Sequence, residues 1–222
     1  MKVSEALASR RSIRDFLPTP VPVETIRRVL EAASRAPSGG NLQPWHIDVV
    51  TGEKLEELRA IVRERIASGA QEEIEYSVYP SPLVSPYRER RFECGEDMYG
   101  LVGIPREDKP ARLRWFARNF EFFGAPMALF CSVHRSMGAP QWSDLGMFLQ
   151  SVMLMLREEG LDSCAQECWY RYPETVGRLI GLPPERMLFC GMAIGYRNPE
   201  HPVNSLVTSR APLEEFVRFH GA

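Results

Sequence analysis

The sequence predicts one α+β domain, or an α/β domain in three layers, in which helices outnumber strands. Three observations point there. Apolar residues recur at helical spacing in several segments separated by Gly- and Pro-containing breaks. Three short apolar runs, WHIDVVT, MALFCSV and MLFCGMAIG, have the length and the content of strands. With 222 residues, 44% of them hydrophobic, the chain can bury one sizeable core.

Taken in order, residues 3–9 read as a first short helix. A second covers 22–35, with Ile26, Val29, Leu30 and Ala33 on one face and Pro22 suited to a first turn. APSGGNLQP then breaks the chain with Gly39, Gly40 and two prolines. The strand WHIDVVT leads into a helix over 55–67. Between 68 and 110 the periodicity degrades around Pro80, Pro82 and Pro86, and an irregular lid or insertion is expected. Leu113, Phe116, Ala117, Phe120 and Phe123 mark another amphipathic helix, followed by the strand MALFCSV. In WSDLGMFLQSVMLMLREEG, Leu145, Phe148, Leu149, Val152, Met155 and Leu156 form one stripe, and Met147 and Leu154 are apolar off it. A helix apolar nearly all round is buried in a core or a subunit interface. Gly160 ends it as a C-terminal cap. A short segment at LDSCAQECW, a helix over 173–180 and the strand MLFCGMAIG complete the body. Residues 198–222 are polar, contain proline and read as an arm. The expected organisation is one domain over 1–222, with an insertion at 68–110 and an arm at 198–222.

Charged residues make up 25% of the chain and the net charge is −2, so no overall field attracts nucleic acid or an acidic membrane. No apolar run approaches the roughly 20 residues that span a bilayer, and MKVSEALASRR lacks the apolar core of a signal peptide. Cys94, Cys131, Cys164, Cys168 and Cys190 include no CxxC pair, so no zinc or redox motif is spelled out. A reduced, cytoplasmic protein without a metal is expected.

The stretch SEALASRRSIRDF gathers Arg10, Arg11 and Arg14 around Ser12. Arginines at a helix C-terminus offset the dipole and bond the last carbonyls. Alternatively, guanidinium forks and a serine hydroxyl hold a phosphate. There is no GxGxxG after a strand and no GxxxxGK[ST], so neither nucleotide loop would hold it. Likewise RAPSGGNLQPW is either a plain helix-to-strand turn or a place where a flat ligand approaches glycine backbone and amides read its edge. Arg210, taken alone, is a solvated arginine. His46, His134, His201 and His220 have no motif partners.

SRRSIRDF, APSGGNLQPWH, GLDSCAQECW, MLFCGMAIGY and SRAPLEEFV, in that order over nearly the whole chain, resemble the nitroreductase family of FMN enzymes. The resemblance implies a nitroreductase-like fold: a central, mostly antiparallel mixed sheet flanked by helices, in an intertwined homodimer with exchanged C-terminal arms. It assigns Arg10 and Ser12 to the FMN phosphate, helped by Arg210 and with Arg11 beside them. Arg14 would reach the pyrimidine edge of the flavin. Pro37, Ser38, Gly39 and Asn41 would approach a flavin held mainly by the other subunit. Gln166, Glu167 and Cys168 would lie near flavin N5, and Gly191 would run close to the cofactor. Several family members carry a lysine where Arg14 stands, a glycine where Cys168 stands and a basic residue where Thr208 stands. Cys168 is then either an inert residue contributing its backbone N–H or a reactive thiol.

The implied activity is hydride transfer from NADH or NADPH, through flavin N5, to a nitroaromatic or quinone-like acceptor, with no side chain acting as acid or base. Tyr79, Tyr87, Phe92 and Tyr99 of the 68–110 segment would cover the flavin and stack on a small aromatic acceptor. Reductive dehalogenation or another dehydrogenation on the same fold is the alternative, followed by flavin binding without hydride transfer. Neither nucleic acid nor membrane is an expected partner.

Overall fold

The computed structural model describes residues 1–221, so Ala222 of the expected arm lies outside them. The chain runs through α1 (Val3–Ser9), α2 (Val23–Ala33), β1 (His46–Thr51), α3 (Gly52–Ser68), α4 (Tyr87–Leu101) and α5 (Lys109–Ala117). It continues through β2 (Met127–His134), α6 (Ala139–Glu158), β3 (Asp162–Gln166), α7 (Pro173–Ile180) and β4 (Arg186–Gly195). The strands form one sheet in the order β1-β2-β4-β3, and each of its ladders is antiparallel. A parallel component enters through the isolated bridge between Ser12 and Ser163.

β2 is paired on both edges and buried along its length except at His134. That is why MALFCSV shows no polar alternation. Its side chains still alternate between faces. Met127, Leu129, Cys131 and Val133 pack with residues of α2 and α6, whereas Ala128 and Phe130 pack with residues of α3 and α7. Helices therefore cover both faces, giving three layers. Leu145, Val152 and Leu156 of α6 are fully buried, each contributing about 1.5–3 kcal/mol of apolar transfer free energy. Met147, off that stripe, is 39% exposed.

LDSCAQECW, expected only as a short segment, contains the fourth strand, β3, and four further departures from the sequence expectation each have a local reason. α2 starts at Val23, and Pro22 stands at its N-cap in an extended conformation. The helix through Leu113 stops at Ala117; residues 118–124 form a 3-10 turn in which Phe122 and Phe123 have φ of 51° and 55°. Both rings are fully buried, so packing overrides helix propensity there. The 68–110 segment contains the 15-residue helix α4, none of whose residues is buried. Without a buried stripe it left no periodicity to read. Finally, the tail does not leave the body at 198: Val203 and Asn204 are buried, and exposed apolar residues begin at Val207, followed by Leu213, Phe216 and Phe219.

One close approach organises the second core. Trp169 stacks on Phe122 at 4.7 Å and meets Phe130 and Phe120 edge-on at 5.2 and 5.4 Å. A Cβ at Gly191 would lie 2.4 Å from Trp169 Cδ1, so the indole needs a glycine beneath it on β4. No helix among the described residues is long and apolar enough to cross a membrane.

Candidate functional site

Arg10 is the C-cap of α1, in an extended conformation that stops the helix. The chain then runs beside β3: Ile13 N donates to Ser163 O at 3.0 Å, and Leu17 N donates to Tyr196 O at 2.8 Å. Ile13 and Phe16 go into the core, leaving Ser12 and Arg14 half-buried on the outer side. Asp15 anchors the segment. Its carboxylate accepts from Arg118 at 2.6 Å and from Asn198 at 2.9 Å. Asn204 closes the clamp, accepting from Arg14 N at 2.9 Å and donating to Asp15 O at 2.8 Å. Arg14 itself donates to Ser12 O at 3.2 Å.

Three members of the cluster converge on one buried thiol. Burial pushes the Cys164 pKa up, while Arg14, the Ser12 hydroxyl and Arg10 pull against it. Arg11 turns away, with a long 3.5 Å contact to Ser205 O. Arg210 lies in a neighbouring cleft against Arg90, Glu93 and Asp97 of α4, and donates to Thr208 Oγ1 at 2.7 Å.

Arg14 opens onto a cavity of about 600 Å³ whose walls include Gln166, Glu167 and Cys168. The structure thus joins four of the residues singled out in the sequence. Gln166 is 2% exposed; its amide donates to Asn119 O at 2.6 Å. Its Oε1 is buried without a partner among the described residues. Burial raises the pKa of Glu167. Burial also pushes the Cys168 thiol well above the usual range, so it stays protonated and the inert alternative for this residue is favoured. Of the aromatics in 68–110, Tyr79 faces the cavity. Phe92 instead underlies Arg106 at 5.0 Å, and Tyr99 underlies Arg112 at 4.1 Å.

A profile of the Nitroreductase family matches residues 7–196. The chain belongs to the nitroreductase family. Its fold matches the FMN and NADPH-dependent nitroreductase NfnB of Sphigopyxis sp. strain HMH with a TM-score of 0.97 and 47% identity, covering 100% of both chains. The 4-nitrobenzoate reductase of Pseudomonas putida is 37% identical over 215 residues, 97% of this chain and 94% of that protein. The nitrobenzene nitroreductase of Ectopseudomonas oleovorans is 34% identical over 226 residues, 98% of this chain and 96% of that protein.

In this nitroreductase-family chain the Pro37–Asn41 turn is not part of the Arg14 cavity wall. It is pinned to α6, where Gly39 N donates to both carboxylate oxygens of buried Asp144 at 3.3 Å. Gly40, Asn41 and Gln43 all have left-handed φ, at 57°, 58° and 49°. Non-glycine residues held there carry strain, a common feature of functional turns. Pro37, Gly39 and Asn41 are exposed. Sequence reading missed Asn204, which holds Arg14, Asp15 and Asn198, which anchor the segment beside it, and Arg91, Phe116, Tyr170 and Arg171, which line its cavity.

Proposed function

We propose that this protein is an FMN-dependent oxidoreductase that uses NADPH or NADH to reduce nitroaromatic or quinone-like acceptors, acting as a homodimer in the cytoplasm. The observation that carries this reading is the wall of the Arg14 cavity. Arg14, whose backbone Asn204 clamps, and Gln166, whose buried Oε1 has no partner among the described residues, both line it. A flat heteroaromatic ring bearing N–H groups and carbonyls complements both, since a buried acceptor without a donor is costly. The residues present therefore fit a flavin.

FMN, when bound, supplies the hydride-accepting and hydride-donating centre. Arg14 presents a fixed positive charge to the ring and stabilises negative charge that collects there on reduction. Arg10 and Ser12 hold the phosphate, with Arg11 and Arg210 reinforcing the positive charge nearby. Glu167 and Cys168 would offer the ring backbone groups, and Gly191 pairs with Gln166 to fix that strand end. Pro37, Ser38, Gly39 and Asn41 serve the second subunit's cofactor. Two facts support the dimer: this turn is exposed away from its own chain's cavity, and the tail presents Val207, Leu213, Phe216 and Phe219 to solvent. Exposed apolar side chains of that kind favour burial against a partner.

The test is steady-state oxidation of NADPH and NADH by FMN-loaded protein. Acceleration by a nitroarene or a benzoquinone is expected. No acceleration with either acceptor and either coenzyme would overturn the reading.

A further inference from the structure

The Arg14 cavity carries more positive charge than it balances. Arg14, Arg91 and Arg171 line it against one carboxylate, Glu167. Burial alone acts on Glu167, and no cation holds its carboxyl down. Arg14 already belongs to the cofactor in the reading above. The side chains of Arg91 and Arg171 make no hydrogen bond or ion pair among the described residues, whereas Arg88, Arg90 and Arg112 around them are each paired with a glutamate.

Both cations rest on aromatic rings instead. Arg91 Cζ lies 4.5 Å from the Tyr79 ring centre. Arg171 Cζ lies 5.6 Å from that of Phe116 and 5.7 Å from that of Tyr170. Attraction to a ring face acts on a guanidinium's charge without using its N–H donors, which stay free for a pair of oxygens. The same cavity thus offers aromatic surface and uncommitted carboxylate-binding forks. An uncharged acceptor would use the first and leave the second idle.

We propose that Arg91 and Arg171 are specificity residues that select an aromatic acceptor bearing a carboxylate. The carboxylate binds their forks while the ring lies against Tyr79, Phe116 or Tyr170. This inference rests on the oxidoreductase reading, but it can be tested by binding as well as by turnover.

The binding experiment uses oxidised holoenzyme with benzoate and benzamide, which differ in charge and not in ring. The wild type should prefer benzoate by about tenfold or more, the scale of a charged hydrogen bond. Arg91→Gln, Arg171→Gln and the double variant should bring the two ligands toward parity, and Arg→Lys variants should recover part of the preference. In turnover, the kcat/KM ratio of 4-nitrobenzoate to its methyl ester should fall in step. Equal binding of benzoate and benzamide by the wild type overturns the proposal, as does an unchanged ratio in the double variant. A KM raised for NADPH over NADH, with the acid-to-ester ratio intact, also overturns it and gives the cations to the coenzyme's extra phosphate. Failure to reduce any nitroarene would strike the oxidoreductase reading instead, and the benzoate comparison would still decide the role of the two arginines.

Discussion

Arg10 and Arg14 sit four residues apart on one short stretch, yet they are held differently. Arg14 is clamped through its backbone by Asn204, while Arg10 is a helix cap. Their losses should therefore differ in kind. Arg10→Ala should weaken FMN binding by about 1.5–3 kcal/mol, the cost of a charged hydrogen bond, read by reconstituting apoprotein. Arg14→Ala should move the flavin midpoint more than the affinity. Unchanged FMN content in the first and an unmoved midpoint in the second would count against these roles. Glu167 gives a pH signature. Burial raises its folded pKa, so the folded state holds the proton more tightly than the unfolded one. The resulting stability is fully present below the ordinary carboxylate range and is lost as pH rises through the raised value. Glu167→Gln should thus be more stable than wild type near neutrality, with the gain fading in acid; a pH-independent difference in denaturation midpoint would contradict this. The sequence displayed Arg10, Ser12 and Arg14, because clustered guanidinium groups are conspicuous. It hid Asn204, whose contact spans 190 residues. It also hid Arg91, which stands in a charge run whose other arginines look the same until their partners are seen.

At the scale of elements, legibility followed burial. α1 and α7 have the bounds their sequence suggests, and α6 shows its stripe because Leu145, Phe148, Leu149, Val152 and Leu156 are buried. α4 was invisible because it buries no residue. The 118–124 turn was misread as helix because helical spacing of phenylalanines marks burial, and the rings here are buried by a 3-10 turn. The family resemblance makes Gly191 a cofactor glycine, and the fold adds a requirement of its own, room for Trp169. Gly191→Ala should overpack that contact, costing about 1–3 kcal/mol, lowering Tm and shifting the tryptophan emission. A variant with unchanged Tm and emission would mean that Trp169 does not lie against β4.

For the whole molecule, the proposed dimer turns on two surfaces of the described chain. Its cavity is lined by Arg14, Gln166 and Glu167, while its Pro37–Asn41 turn is not part of that wall. The tail touches its own α4 through Arg90 and Glu215 at 2.5 Å, an exposed ion pair of small worth, and its aromatic residues stay in solvent. Deleting the residues after Arg210 should loosen the dimer, and an intact dimer by sedimentation would refute the arm's role. The central claim, that the Arg14 cavity holds a hydride-accepting flavin, is tested most directly by the visible spectrum of purified protein before and after anaerobic NADPH. Flavin bands near ~450 nm that bleach on addition are predicted. A colourless protein that takes up no added FMN, or a bound flavin left oxidised by both NADPH and NADH, would contradict it.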